Sequence, residues 1–203
     1  YVQRAVGLIP PGMPGYASQV PTIPFDPVEA KSLLAQSRYG GPQNLPPIVY
    51  TSSGLDEVDR ALGAAVEMWR ANLGVDVSVR LIPSEEYYFR LSDEVGNIFD
   101  FGWIADYPDP ENILDVLFHT GAANNAGRYS NPQVDQLLES ARIEQAPERR
   151  AELYRQAQDL LLQDAAAIPL WHGVSYVLVK PYVQGYALTA QGVPILEQVQ
   201  LAR

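Results

Sequence analysis

The chain has 203 residues, 47% of them apolar, enough to build a sizeable core in one large domain or two small ones. With 24 acids against 14 bases the net charge is −10, the wrong sign for nucleic acid or an anionic membrane surface. It weakly favours a cationic or amine-bearing ligand, and the absence of cysteine excludes a disulfide framework and any thiolate metal or nucleophilic site.

No stretch is long and apolar enough to span a bilayer, and no signal peptide is visible. The chain opens at Tyr1-Val2-Gln3-Arg4 and closes after an apolar alternation from Val193 to Leu201. Both ends read as cuts through a larger protein. Residues 1–25 are dense in Pro and Gly and read as an extended lead-in. Asp26-Pro27-Val28-Glu29 then starts a helix, with Asp26 as N-cap and Pro27 in the first turn, running to about Ser37.

A β-α-β-α-β pattern follows. Ile48-Val49-Tyr50 is a short apolar strand. From Asp56 to Leu73, Val58, Ala61, Leu62, Ala65, Met68, Trp69 and Leu73 keep helical spacing, and Gly74 stops the helix. Val75, Val77, Val79 and Leu81 alternate with polar residues as in a half-buried strand. Ser84 caps a helix to about Glu94, and Ile98–Ala105 is apolar enough to predict a strand buried on both faces. This order predicts a mostly parallel sheet with right-handed crossovers. The second half predicts helices over Glu111–Phe118, from Asn131-Pro132, and from Pro147, then short strands near Ile168–His172 and Ser175–Val179.

The most informative stretch is Phe99-Asp100-Phe101-Gly102-Trp103-Ile104-Ala105-Asp106-Tyr107-Pro108-Asp109-Pro110. Ligands of open α/β sheets bind beyond the carboxyl ends of strands, where Trp103 and Asp106 are expected. A carboxylate partly shielded by Trp103 and Tyr107 suits an ammonium. For Asp106 a ligand grip and a helix cap are both open; for Asp109, before Pro110, the cap leads. Trp103 suits a flat wall or cation–π partner as well as a core position. Tyr129 and the amides Asn124 and Asn125 lie in a Gly-containing loop suited to polar ligand contacts or to ordinary loop bonding. An enzyme finds little support. His119 and His172 lack metal-ligand spacing, and no nucleophile elbow, dinucleotide loop or P-loop occurs. A carboxylate pair for hydrolysis among Asp106, Asp109 and Glu111 is the weakest reading, because acids so close in sequence serve turns and caps.

Blocks spread over nearly the whole chain carry a family resemblance. They are Ile9-Pro10-Pro11-Gly12 with Gly15-Tyr16, Phe25-Asp26-Pro27 through Leu34 with Gly40, and Trp103 to Pro110 followed by Leu117-Phe118. Asn125, Tyr129-Ser130-Asn131, Asp135-Leu137-Leu138, Glu148-Arg149, Leu153-Tyr154, Ala157-Gln158 and Ile168-Pro169-Leu170 continue it. In their order and spacing these resemble the substrate-binding proteins of peptide-type ABC transporters, the extracellular solute-binding family 5. The resemblance implies an α/β fold, a periplasmic-binding-protein-like (type II) lobe with a mostly parallel β-α-β sheet flanked by helices. It implies a two-lobed protein that closes on its ligand, this chain being the second large lobe over 26–184. Residues 1–25 would then lead in from the first lobe and 185–203 return toward it. It also implies a non-catalytic, monomeric, periplasmic or extracellular, lipid-anchored component without cofactor or metal. That component would hand a di- or oligopeptide to an ABC permease. Asp106 matches the position that anchors the peptide amino terminus and Trp103 one that lines a side-chain pocket. Tyr107, Asn125 and Tyr129 complete the expected ligand-binding set. An Arg that some oligopeptide binders place just before the Trp has no match here, since Asp100 and Phe101 stand there. The family also includes binders of oligosaccharides and nickel chelates, which are the alternative ligands.

Overall fold

The computed structural model describes residues 2–17, 24–55, 57–94, 96–189 and 192–202, with the backbone alone at 92–94. In chain order they form β1 (Val2–Arg4), α1 (Pro27–Gln36), β2 (Ile48–Ser53), α2 (Arg60–Leu73), β3 (Val77–Ile82), α3 (Ser84–Glu94), β4 (Ile98–Phe99) and α4 (Glu111–Phe118). Helices α5 (Pro132–Ile143) and α6 (Pro147–Gln163) follow, then short strands β5 (Trp171–Gly173), β6 (Val183–Gln184), β7 (Ala187–Leu188), β8 (Pro194–Ile195) and β9 (Gln200–Leu201). The contacts divide the chain into two units, one over Ile23–Gly102 and one joining Tyr1–Thr22 to Trp103–Arg203. No described helix is long and apolar enough to cross a membrane.

The unit over Ile23–Gly102 is the predicted parallel sheet. Its strand order is β3-β2-β4, with Ile48 opposite Val77 and Tyr50 opposite Ile98. The helix starts are those the residues announce. Asp26 accepts from the Val28 and Glu29 amides at the head of α1, and Asp59 accepts from Ala61 and Leu62 at the head of α2. The α2 cap therefore falls at Asp59, and the helix itself runs over Arg60–Leu73. Gly74 ends α2 in the left-handed region at φ 67°, a conformation a Cβ would strain. The apolar stripe of α2 puts Leu62 and Val66 against Tyr50, Val75 and Val77 in one core cluster.

The strand expected over Ile98–Ala105 stops at Phe99. The Asp100 amide still donates to the Thr51 carbonyl at 3.3 Å, and the Tyr87 hydroxyl donates to the Asp100 carbonyl at 2.6 Å. The remaining apolar residues serve a different purpose. Phe101 meets Tyr88 and Phe99 edge to face, at 5.6 and 6.4 Å between ring centroids. Ile104, expected to be buried on a sheet face, is 84% exposed.

The other unit is built on α4, α5 and α6. Leu114, Val134, Leu138, Ala141, Tyr154, Ala157 and Leu161 are fully or almost fully buried in one cluster. The lead-in is part of this core rather than a mere connector, since Ile9 and Met13 lie in the same cluster. Buried Gln158 on α6 anchors it by accepting from the Leu8 and Ile9 amides at 2.8 and 3.1 Å. A Cβ at Gly7 would stand 2.7 Å from that amide oxygen, so a larger residue there would require the Gln158 amide to shift. The first strand, β1, pairs antiparallel with β5. The strand expected over Ser175–Val179 does not form; Leu178 is 100% exposed and no described strand pairs with 174–180. Apolar, β-branched content alone cannot hold a strand that has no ladder partner.

Candidate functional site

The segment from Trp103 to Pro110 has no regular structure and is held from beneath by α4. Asn112, in the first turn of that helix, is 3% exposed. Its Oδ1 accepts from the Trp103 indole Nε1 at 2.9 Å and from the Asp106 backbone amide at 3.0 Å. One buried oxygen thus fixes both the ring and the backbone that carries the carboxylate. Trp103 is half-buried and packs on the α4–α6 core, whereas Asp106 and Tyr107 are exposed. Among the described residues no hydrogen bond or ion pair engages the Asp106 carboxylate.

The two readings left open for Asp106 and Asp109 separate cleanly. Asp109 is the cap, with its Oδ1 accepting from the Glu111 amide at 2.9 Å. It also makes a two-pronged ion pair with Arg150 of α6, at 2.6 and 2.9 Å. Burial by itself raises the Asp109 carboxyl, but the Arg150 and Glu111 hydrogen bonds outweigh it and hold the group below the usual carboxylate range. The Arg150 guanidinium also lies over the Tyr154 ring, 4.9 Å from its centroid. Asp106 has no such duty, so its charge faces outward. Tyr107 donates its hydroxyl to Glu111. Hydrogen bonding from Asn112 lowers the Tyr107 phenol, and the Glu111 hydrogen bond, burial and the nearby Glu111 and Asp109 charges together outweigh it, leaving a net rise. Asp109 and Glu111 are therefore engaged with Arg150 and Tyr107, an arrangement unlike a pair of carboxylates facing one scissile bond.

The loop between α4 and α5 is different. Asn125, 8% exposed, donates from Nδ2 to the His119 and Tyr129 carbonyls at 3.1 and 2.8 Å. Its Oδ1 accepts from the Tyr129 amide at 3.0 Å. Tyr129 donates its hydroxyl to Asp164 at 2.6 Å, and its ring meets Phe118 edge to face. Burial and the Asp164 hydrogen bond push the Tyr129 phenol up to about 12. The side chains of Asn125 and Tyr129 thus close their own loop. His119 caps the end of α4 with its backbone, and its ring lies against Glu139 and the Thr120 carbonyl. No group of His, Cys, Asp and Glu with metal-holding geometry occurs among the described residues.

Two residues that sequence reasoning did not single out, Asn112 and Asp115, organise this unit together with Asp109. Asp109, Asn112 and Asp115 recur every third position along one side of α4. Asp109 is tied to α6 through Arg150, and buried Asp115 to α5 through Arg142, at 2.5 and 2.6 Å. The spacing was readable; the partners, 27 and 41 residues away, were not.

Comparison with known proteins adds an independent line. The sequence model for bacterial extracellular solute-binding proteins, family 5 Middle, matches residues 1–125. The chain is 31% identical over 98% of its length to "Probable di/tripeptide-binding protein 5" of Pseudomonas aeruginosa, covering 38% of that protein. It is 32% identical over 78% of its length to the periplasmic oligopeptide-binding protein OppA of Salmonella typhimurium, covering 29% of it. The solved structure of Burkholderia pseudomallei OppA superposes on the whole chain with a TM-score of 0.81 and 30% identity, over 41% of that protein. The chain spans well under half the length of these relatives. Its α/β architecture is that of the periplasmic peptide-binding proteins.

Proposed function

Because the chain belongs to the family 5 bacterial extracellular solute-binding proteins, we propose that it forms one wall of a peptide-binding cleft, in which Asp106 grips the ligand's amino terminus. The observation that carries this reading is the contrast within one short segment. Asp109 is neutralised by Arg150, while Asp106 is exposed and unpaired among the described residues, on a backbone held by Asn112. A fixed carboxylate beside an indole is complementary to an ammonium group. Trp103 lines the space for the first side chain and Tyr107 borders it. Asn125 and Tyr129 shape the neighbouring loop. The relatives named as peptide-binding support di- or oligopeptides as the solute over an oligosaccharide or nickel chelate.

In the full-length protein a second lobe completes the cleft, and closure buries the peptide. The protein is a non-catalytic, monomeric, lipid-anchored component in the periplasm that delivers peptide to an ABC permease. Transport energy comes from the permease's ATPase.

Calorimetric titration of the full-length protein with di- to pentapeptides, repeated with their N-acetylated forms, tests the reading. Binding that acetylation abolishes supports the amine anchor. Equal binding of both sets removes Asp106 as the anchor, and no binding of either redirects the search to sugars and metal chelates.

A further inference from the structure

We infer that Asn112 is the positioning residue of this site: it holds the Trp103 ring and the Asp106 backbone in one fixed relation through a single buried oxygen. The inference rests on the amine-anchor reading of Asp106. Both partners of Asn112 Oδ1 are obligate donors, an indole N–H and a peptide N–H, so the amide oxygen and not its nitrogen must face them. The two bonds use the two lone pairs of that oxygen. Neither the indole nor the Asp106 amide can turn away without leaving a hydrogen-bonding group unpaired.

The anchor itself is immobilised. Asn112 sits between Asp109 and Asp115 on one side of α4, and these are ion-paired to Arg150 of α6 and Arg142 of α5. The helix is therefore tied at both ends to the core, and the reference point for the site moves with the core rather than with the loop. The identity of the residue also follows. A carboxylate at 112 would accept the same two bonds, but would add a further anion, itself buried, beside Asp109, Glu111 and Asp115. A neutral amide supplies the acceptor and leaves Asp106 as the charge presented to the ligand. Preorganisation of this kind lets a single ion pair discriminate, because the backbone that carries the carboxylate needs no reordering when the ammonium arrives.

The test compares N112L, which keeps the volume and removes the acceptor, with N112D, which keeps an oxygen at the same reach, in the full-length protein. Hydrogen exchange of the Trp103 indole and the Asp106 amide is followed by NMR. Affinity is measured for trialanine and for N-acetyl-trialanine. N112L is expected to speed both exchange rates at least tenfold and to cut the preference for the free amine about tenfold, while N112D keeps the protection. If N112L does not fold, N112S carries the same readouts, since its shorter hydroxyl cannot reach both donors. Wild-type protection in N112L, or loss in N112D as complete as in N112L, overturns the inference. So does an unchanged free-amine preference in N112L when D106N has lost it. If the wild type itself shows no such preference, the amine-anchor reading fails, and the exchange rates still decide whether Asn112 holds the segment.

Discussion

Two stretches of the same unit, Trp103–Pro110 and Thr120–Ser130, carry similar residue types yet use them in opposite ways. Both hold an aromatic ring together with carboxylate or amide side chains. In the second, Asn125 and Tyr129 turn their polar atoms inward, onto the loop carbonyls and Asp164. In the first, the inward bonds are supplied from outside the segment by Asn112, so the Asp106 carboxylate stays available. A loop that satisfies itself has little left for a ligand. A loop satisfied by a buried neighbour can present a charged group at no cost to its own order.

The largest expected effect breaks the first stretch. D106N in the full-length protein should weaken binding of free-amine peptides about 10- to 100-fold, the range for a hydrogen bond to a charged group. Binding of N-acetylated peptides should stay unchanged, and calorimetry reads both. The counterpart in the second stretch, N125A, should do the reverse. It leaves the Tyr129 amide and two carbonyls without their partner and should cost about 1–3 kcal/mol of stability in chemical denaturation. Peptide affinity should change less than threefold. A large loss of affinity without loss of stability would make Asn125 a direct ligand contact instead.

The cap of α4 sharpens the comparison through pH. Asp109 has a folded-state pKa below its unfolded value of about 3.9, so its pairing with Arg150 stabilises the fold at neutral pH. That contribution is lost as pH falls through the folded value. The melting temperature of the wild type should therefore drop more steeply below about pH 4 than that of D109N. The smallest effect is expected from Y129F, which removes one hydroxyl bond to Asp164. Its melting temperature should fall less than that of N125A, with peptide affinity unchanged; an affinity loss in Y129F would bring the phenol into the ligand site.

Much of the fold was legible because local rules and tertiary context agree. Asp26-Pro27 and Asn131-Pro132 start helices where a side-chain acceptor and a fixed φ say they should, and Gly74 ends one. The helical stripe of α2 and the alternation of β3 describe the faces they bury. The misreadings share one cause, that apolar content does not say what it packs against. Ile98–Ala105 looked like a strand buried on both faces, but its aromatic residues pack edge to face and its strand ends at Phe99. Ser175–Val179 has the apolar, β-branched content of a strand and no described ladder partner.

By itself the sequence determined the α/β class, the helix starts and stops, the parallel order of the central sheet, the family, and the short segment in which a carboxylate stands beside a tryptophan. These follow from spacings of a few residues, within the reach of one turn or one pleat. Which of two acids three residues apart is free, and which is a cap, was decided only by the tertiary structure. That choice depends on Arg150, distant in sequence, meeting Asp109, and on one buried amide oxygen of Asn112 satisfying two donors at once. Hydrogen-bond partners that far along the chain are set by how helices pack, and no local pattern of residues encodes them.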